Sequence, residues 1–193
     1  RPLLRTFHPE KLILNDICHE MSTCFADLLS DRQVTFIPGD AEQLSFPSGQ
    51  DLIVSCSALQ WFVSPELFFK RCNALLSGHG YFAFSTFGKE NLKEIAAVTG
   101  SGLHYYSLEE LKKSLSMHYN IVTAGEERIR LTFATPLDVL YHLKHTGVTA
   151  VCRQAWTKGD LQEFCDKYAK LFSCGNAVTL TYHPLYIIAR KKP

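Results

Sequence analysis

The chain has 193 residues, 46% of them hydrophobic and 20% charged, and a formal charge of +1. These are values of an ordinary folded protein with room for a sizeable core, and they exclude a disordered chain. The small net charge points to neither nucleic acid nor a membrane, and no apolar run approaches the roughly 18–20 residues that cross a bilayer.

A strand is predicted from Lys11 to Asp16, after His8-Pro9, and a helix from Cys18 to Leu29 with Met21, Phe25, Leu28 and Leu29 on one face. Val34 to Ile37 is the next strand, broken by Pro38-Gly39, and Ser45 to Gln50 is loop. Asp51 to Ser55 is a short apolar strand of the kind covered on both faces. Ser64 caps a helix with Pro65 in its first turn and Leu67, Phe68, Leu75 and Leu76 facing inward, and Gly78 stops it. A strand follows from Gly80 to Phe87. Asn91, with Glu94 three residues on, caps a short helix, and Ser107 with Glu110 forms a capping box.

Tyr119 to Thr123 and Arg128 to Phe133 read as strands. Thr135-Pro136 opens a helix to about Lys144, ended by Gly147. Thr157 or Asp160 starts the last helix, in step at Leu161, Phe164, Tyr168 and Leu171. Val178 to Ala189 is a strand bent at Pro184, which belongs near a sheet edge or a bulge. Strands alternating with helices predict an α/β protein with a Rossmann-like, mostly parallel sheet and helices on both faces. Residues 1–193 are expected to form a single domain, with 89–175 as a partial lid.

The seven cysteines (18, 24, 56, 72, 152, 165 and 174) include no C-x-x-C pair, so free thiols in a reducing cytoplasm are expected rather than disulfides or zinc, and no metal is called for. No secretory signal stands at the first residue.

Polar residues gather at the strand ends, where α/β sheets bind cofactors. Asp16 closes the first strand and is followed by Ile17 and Met21; Gly39-Asp40-Ala41-Glu42 closes the second; Ser55 and Cys56 close the third, just before Gln60 and Trp61. This ordered set resembles the class I S-adenosylmethionine-dependent methyltransferases. The resemblance implies that Asp16 accepts from two ribose hydroxyls and that Met21 packs on the adenine. It implies that the Asp40-Ala41-Glu42 segment meets the adenine edge, with Ile17 nearby, and that Ser55 and Cys56 lie by the methionine portion.

A narrower resemblance rests on Leu59-Gln60-Trp61-Phe62, Phe84-Ser85-Thr86-Phe87-Gly88, Leu143-Lys144-His145-Thr146-Gly147-Val148 and Leu180-Thr181-Tyr182-His183-Pro184. In that order they are similar to the malonyl-[acyl-carrier protein] O-methyltransferases of biotin synthesis. It implies a malonyl thioester on acyl-carrier protein or coenzyme A as acceptor. Gln60, Trp61, Lys144, Tyr182 and His183 are the candidates to hold it, and no general base is needed because the carboxylate is already ionised. For Tyr182 and His183 a purely structural role stays open, as does a solvated helix end for Lys144.

A basic face for the acidic carrier could draw on Lys112, Lys113, Arg128, Arg130, Arg153 and Lys158. The family's first strand, glycine-rich loop and helix have no counterpart in the sequence, so a longer parent protein is expected. Two other readings compete: methylation of a quinone precursor or another small acid, and a catalytically silent module of the same fold.

Overall fold

The computed structural model describes residues 6–148 and 156–193. They divide into two units, Arg1–Pro47 and Ser48–Pro193. In the first, β1 (Leu12–Asp16) and β2 (Val34–Pro38) run parallel, with Leu12 opposite Val34 and Asp16 opposite Pro38. The predicted helix from Cys18 is instead a 3-10 segment, His19–Phe25, followed by the single turn α1 (Ala26–Leu29). Ser22, Thr23 and Cys24 are weak helix formers, and the Thr23 hydroxyl is drawn back to the Glu20 carbonyl. Phe25 packs on Phe36 at 5.5 Å between ring centres. None of the described side chains of this unit is buried.

The second unit holds two sheets. Strands β3 (Gln50–Cys56), β4 (Leu76–Phe87), β5 (Tyr119–Glu126) and β9 (Pro184–Lys191) take the order β3-β4-β9-β5. The β3–β4 pair is parallel and is connected through α2 (Pro65–Leu75), a βαβ unit; β9 runs antiparallel between β4 and β5. Strands β6 (Ile129–Phe133), β7 (Ser173–Cys174) and β8 (Ala177–Tyr182) make an antiparallel sheet ordered β6-β8-β7. The helices α3 (Lys93–Thr99), α5 (Pro136–His145) and α6 (Lys158–Phe172) build its core with Ile95, Val139, Leu143, Phe164, Tyr168 and Leu180. Helix α4 (Leu108–Leu115) packs against β5.

Under α2 lies an aromatic core. Phe68 and Phe69 meet Phe82 and Phe84, and Tyr119 closes the group with its hydroxyl donated to the Phe69 carbonyl at 2.8 Å. Burial pushes the Cys72 thiol up to about 12, so it is an inert apolar side chain. The buried face of α2 is set by Phe68, Phe69 and Cys72, whereas Leu67 is exposed.

The alternation along β4 and β9 is strict. Phe82, Phe84, Leu185 and Ile187 are buried, while Tyr81, Tyr186 and Ile188 are exposed. Leu52 and Val54 of β3 are exposed as well, so among the described residues this strand is not covered on both faces as its sequence suggested.

Three further expectations change. Helix α2 ends at Leu75, and Leu76 passes directly into β4, so Gly78 lies within the strand instead of stopping the helix. Gly80 is required nearby, because a Cβ there would sit 2.8 Å from the Gln50 carbonyl, where the β3–β4 register shifts. The sequence Val178 to Ala189 is two strands in two sheets. The chain crosses between them at His183, and Pro184 is the first residue of β9, a position that asks for no ladder donor. Finally, Leu92, not Asn91, precedes α3, at φ 52°. By contrast, Ser107/Glu110, Thr135/Asp138 and Thr157/Asp160 all form capping boxes.

Candidate functional site

In the first unit the parallel pair brings Asp16 and Asp40 to the same carboxyl rim. The Asp16 carbonyl accepts from Gly39 N at 2.8 Å, and the Asn15 amide donates to Ile37 and Gly39 carbonyls, locking the two strand ends together. Asp16 Oδ1 accepts from Cys18 N and Asp40 Oδ1 from Glu42 N, at 2.9 and 2.8 Å. Each bond fixes a carboxylate on its turn, and the Oδ2 atoms of Asp16 and Asp40 have no donor among the described residues. Two anchored carboxylates with open oxygens fit the hydroxyls of a ribose and the amino group of an adenine. Met21 and Ala41 are half-buried on the segments after these strands, and Ile17 is exposed.

In the second unit Ser55 and Cys56 end β3, paired with Phe84 and Ser85 of β4. Ser57 follows at φ 51°, a conformation that side chains other than glycine adopt at a cost. It is held there by its N–H, which donates to the Ser85 carbonyl at 2.9 Å. The turn that results carries Gln60 and Trp61 on a 3-10 segment, Leu59–Trp61. The Gln60 amide donates to the Ser57 carbonyl and its Oε1 accepts from Thr86 Oγ1 at 3.2 Å. Trp61 is 48% exposed.

A narrow cleft opens at this rim, walled by Gln60, Thr86, Phe87, His104, Tyr105 and Tyr106. Sequence reasoning missed the last three. His104 is an exposed residue whose side chain also lines the cleft; the only sequence signal for the three together was the unusual His-Tyr-Tyr run.

Behind the cleft runs a polar seam. Asn91 donates to the Tyr105 hydroxyl at 3.0 Å and accepts from His183 N at 3.2 Å. His183 is buried, and both ring nitrogens are engaged: Nδ1 accepts from Glu90 N and Nε2 faces Glu126 Oε2, each at 3.2 Å. Gly88 lies against that ring and donates to the His183 carbonyl at 2.7 Å. Glu94, 1% exposed, accepts from Thr181 N and Oγ1 at 3.0 and 2.6 Å. Asn91 and Glu94 therefore spend their side chains on this seam, which is why they do not cap α3.

Arg128 donates to Glu90 and Glu126, and with Lys93 it holds the Glu90 carboxyl down at about 2. Burial raises Glu126, but His183 and Arg128 outweigh it and the carboxyl stays below its ordinary range. Tyr182 is half-buried, 3.0 Å from His142 Nε2, with its ring 6.1 Å from that of Phe87; burial raises its phenol.

Lys144 is exposed in the last turn of α5 and does not line the cleft. Of the basic residues, Arg128 is engaged by carboxylates and Lys112 by Glu109, and Arg153 lies outside the described residues, as does Cys152. Among the described residues no group of acids, histidines and cysteines could hold a metal ion, and no helix is long and apolar enough to cross a membrane.

Residues 1–84 match the family model for a methyltransferase domain. The whole chain is 56% identical to the malonyl-[acyl-carrier protein] O-methyltransferase of Bacteroides thetaiotaomicron and covers 77% of it. It is 57% identical to that of Bacteroides fragilis, covering 39%, and 42% identical to that of Porphyromonas gingivalis, where 98% of this chain covers 74% of the relative. Among solved structures, the YcgJ protein of Bacillus subtilis superposes with a TM-score of 0.61 at 16% identity, covering 95% of this chain and 83% of that one. The N-methyltransferase NodS of Bradyrhizobium japonicum, solved with S-adenosyl-L-homocysteine, gives 0.52 at 13% identity, covering 95% and 67%. The fold is thus the α/β fold of class I methyltransferases, and the chain belongs to the malonyl-[acyl-carrier protein] O-methyltransferase family of S-adenosylmethionine-dependent transferases.

Proposed function

We propose that the chain transfers a methyl group from S-adenosylmethionine to the free carboxylate of a malonyl thioester, carried on acyl-carrier protein or coenzyme A, as a step toward biotin. The observation that carries this reading is the 56% identity, along the whole chain, to a relative of that name. The Gln60-bearing cleft supports it.

When bound, the cofactor supplies an electrophilic methyl on a sulfonium. Asp16 holds the ribose through its carboxylate. Asp40, with Ala41 and Glu42, reads the adenine edge, and Met21 and Ile17 flank the ring. Ser55 and Cys56 border the methionine portion.

On the acceptor side, Gln60 keeps one of its two amide N–H groups for an oxygen of the substrate, the other donating to the Ser57 carbonyl while its own oxygen is held by Thr86. Trp61 shields the reacting carboxylate from water. Tyr182, oriented by His142, offers its hydroxyl to the thioester, and His183, engaged at both ring nitrogens by Glu90 and Glu126, supports the acceptor side from behind rather than touching substrate. Lys144 serves the approach of the carrier from its exposed helix end.

No proton needs to be removed, so rate comes from alignment and exclusion of water, which can supply about 7–11 kcal/mol. Methylation masks a charge that an apolar elongation pocket would reject. The three-stranded sheet and its helices, within 89–175 and β8, form the acceptor-side lid of one methyltransferase domain. We place the protein in the cytoplasm, without nucleic-acid or membrane partners, on the support of the free described thiols.

The test is incubation of the full-length protein with methyl-labelled cofactor and malonyl, succinyl or quinone-precursor acceptors. Base-labile label on the malonyl thioester is the expected outcome. Label on the quinone precursor alone, or no binding of cofactor, overturns the reading.

A further inference from the structure

We infer that His104 is the residue that recognises the free carboxylate of the acceptor, a specificity role that rests on the methyl-transfer reading above. The cleft at the β3–β4 rim takes its polar wall from Gln60 and Thr86, which bond to each other. Its remaining lining is apolar or phenolic apart from one side chain: His104 is the only lining residue that can carry a positive charge. A carboxylate withdrawn from water needs a charged or hydrogen-bonding partner. Lys144 is not in the lining, so the cation that the sequence assigned to the acceptor is absent from the rim itself.

The imidazole is placed for this work. The segment carrying it hangs between the left-handed Gly100 at the end of α3, φ 69°, and the Ser107 capping box that starts α4. Midway, the Tyr105 hydroxyl is fixed by Asn91, and burial keeps that phenol protonated by raising it. Tyr106 stands perpendicular to the His104 ring at 4.9 Å, and the imidazole itself is exposed. Both ring nitrogens of His104 are without hydrogen-bond partners among the described residues, although the ring is held on both sides in sequence.

The mode of recognition is a hydrogen bond from an imidazole N–H to one carboxylate oxygen, leaving the other oxygen to attack. Its chemical consequence is discrimination. Malonyl thioesters should bind in preference to the isosteric neutral amide, and the methyl-ester product should keep only a weaker, neutral hydrogen bond to the oxygen that was not methylated.

The experiment compares binding of malonyl-coenzyme A and malonamoyl-coenzyme A to the full-length protein by calorimetry, with S-adenosyl-L-homocysteine present, for wild type and His104→Leu. Wild type is expected to prefer the acid. In His104→Leu the affinity for the acid should fall about ten-fold or more, the size of a lost charge-assisted hydrogen bond. Affinity for the amide should hold within about two-fold. Unchanged preference in the variant, or equal weakening of both ligands, overturns the role of His104. Failure of the wild-type protein to methylate any malonyl thioester would instead sink the parent reading, and it is scored separately in the labelling assay.

Discussion

The aromatic core under α2 lies on one sheet and the polar seam behind the cleft bridges the two sheets of the second unit, and they are built on opposite principles. Phe68, Phe69, Phe82, Phe84 and Tyr119 interlock by area and shape, and a single hydroxyl bond suffices to satisfy them. The seam of Asn91, Glu94, Thr181, His183 and Glu126 buries polar groups and must give each a partner. The core supplies stability that tolerates any good filling. The seam supplies position, because a hydrogen bond fixes direction as well as distance. The cleft sits where the seam, not the core, reaches the surface.

The largest test empties the core. Phe82→Ala should cost about 3–5 kcal/mol in urea unfolding, with affinity for S-adenosyl-L-homocysteine unchanged in the protein that remains folded. A loss under 1 kcal/mol would mean the rings do not form one packed unit. Glu94→Leu removes the acceptor for both Thr181 donors. It should cost about 1–3 kcal/mol per orphaned group and, unlike the core variant, raise KM for the malonyl acceptor.

Gly88→Ala comes next. Its Cβ would lie 2.6 Å from the His183 ring, so about 1–3 kcal/mol of strain should appear together with an altered acceptor KM. If stability falls and KM does not move, the seam is scaffolding alone.

Asp16→Ala touches neither region. Calorimetry should show cofactor affinity weakened by about 1–3 kcal/mol at unchanged thermal stability. Smallest is a charge effect. Glu90 is held at about 2 by Arg128 first and Lys93 second. Its folded value lies below the ordinary carboxylate range, so its contribution is present above that range and is lost as pH falls toward 2. Carbon-detected NMR should find that titration near 2, and in Arg128→Gln it should move back toward the ordinary range.

Much of this was readable from local chemistry. The capping box at Ser107 and the helix opening at Thr135-Pro136 depend on near neighbours, so sequence displays them directly, and the two candidate starts of the last helix, Thr157 and Asp160, prove to be the two halves of one box. The ends of β1 at Asp16 and of β2 just before Asp40, and separately the end of β3 at Cys56, were equally legible, because within each parallel pair the carboxyl ends share a rim. Asn91 and Glu94 misled. Their spacing is that of a cap, but their partners, Tyr105, His183 and Thr181, lie up to about ninety residues away in sequence. Gly78 was taken for a stop because glycine usually follows a helix, whereas Leu76 turns extended without it. His104 was invisible for a simpler reason: what matters about it is the lack of any cation beside it, and that is a property of the assembled wall.

The passage from β8 to β9 through one residue has a further consequence. The two sheets are joined there covalently but share no ladder. Substitutions in β6 or α5 can therefore remodel the three-stranded sheet without unzipping the ladder between β3 and β4. A chain built this way can vary one sheet while conserving the other, provided the splice at His183 stays intact.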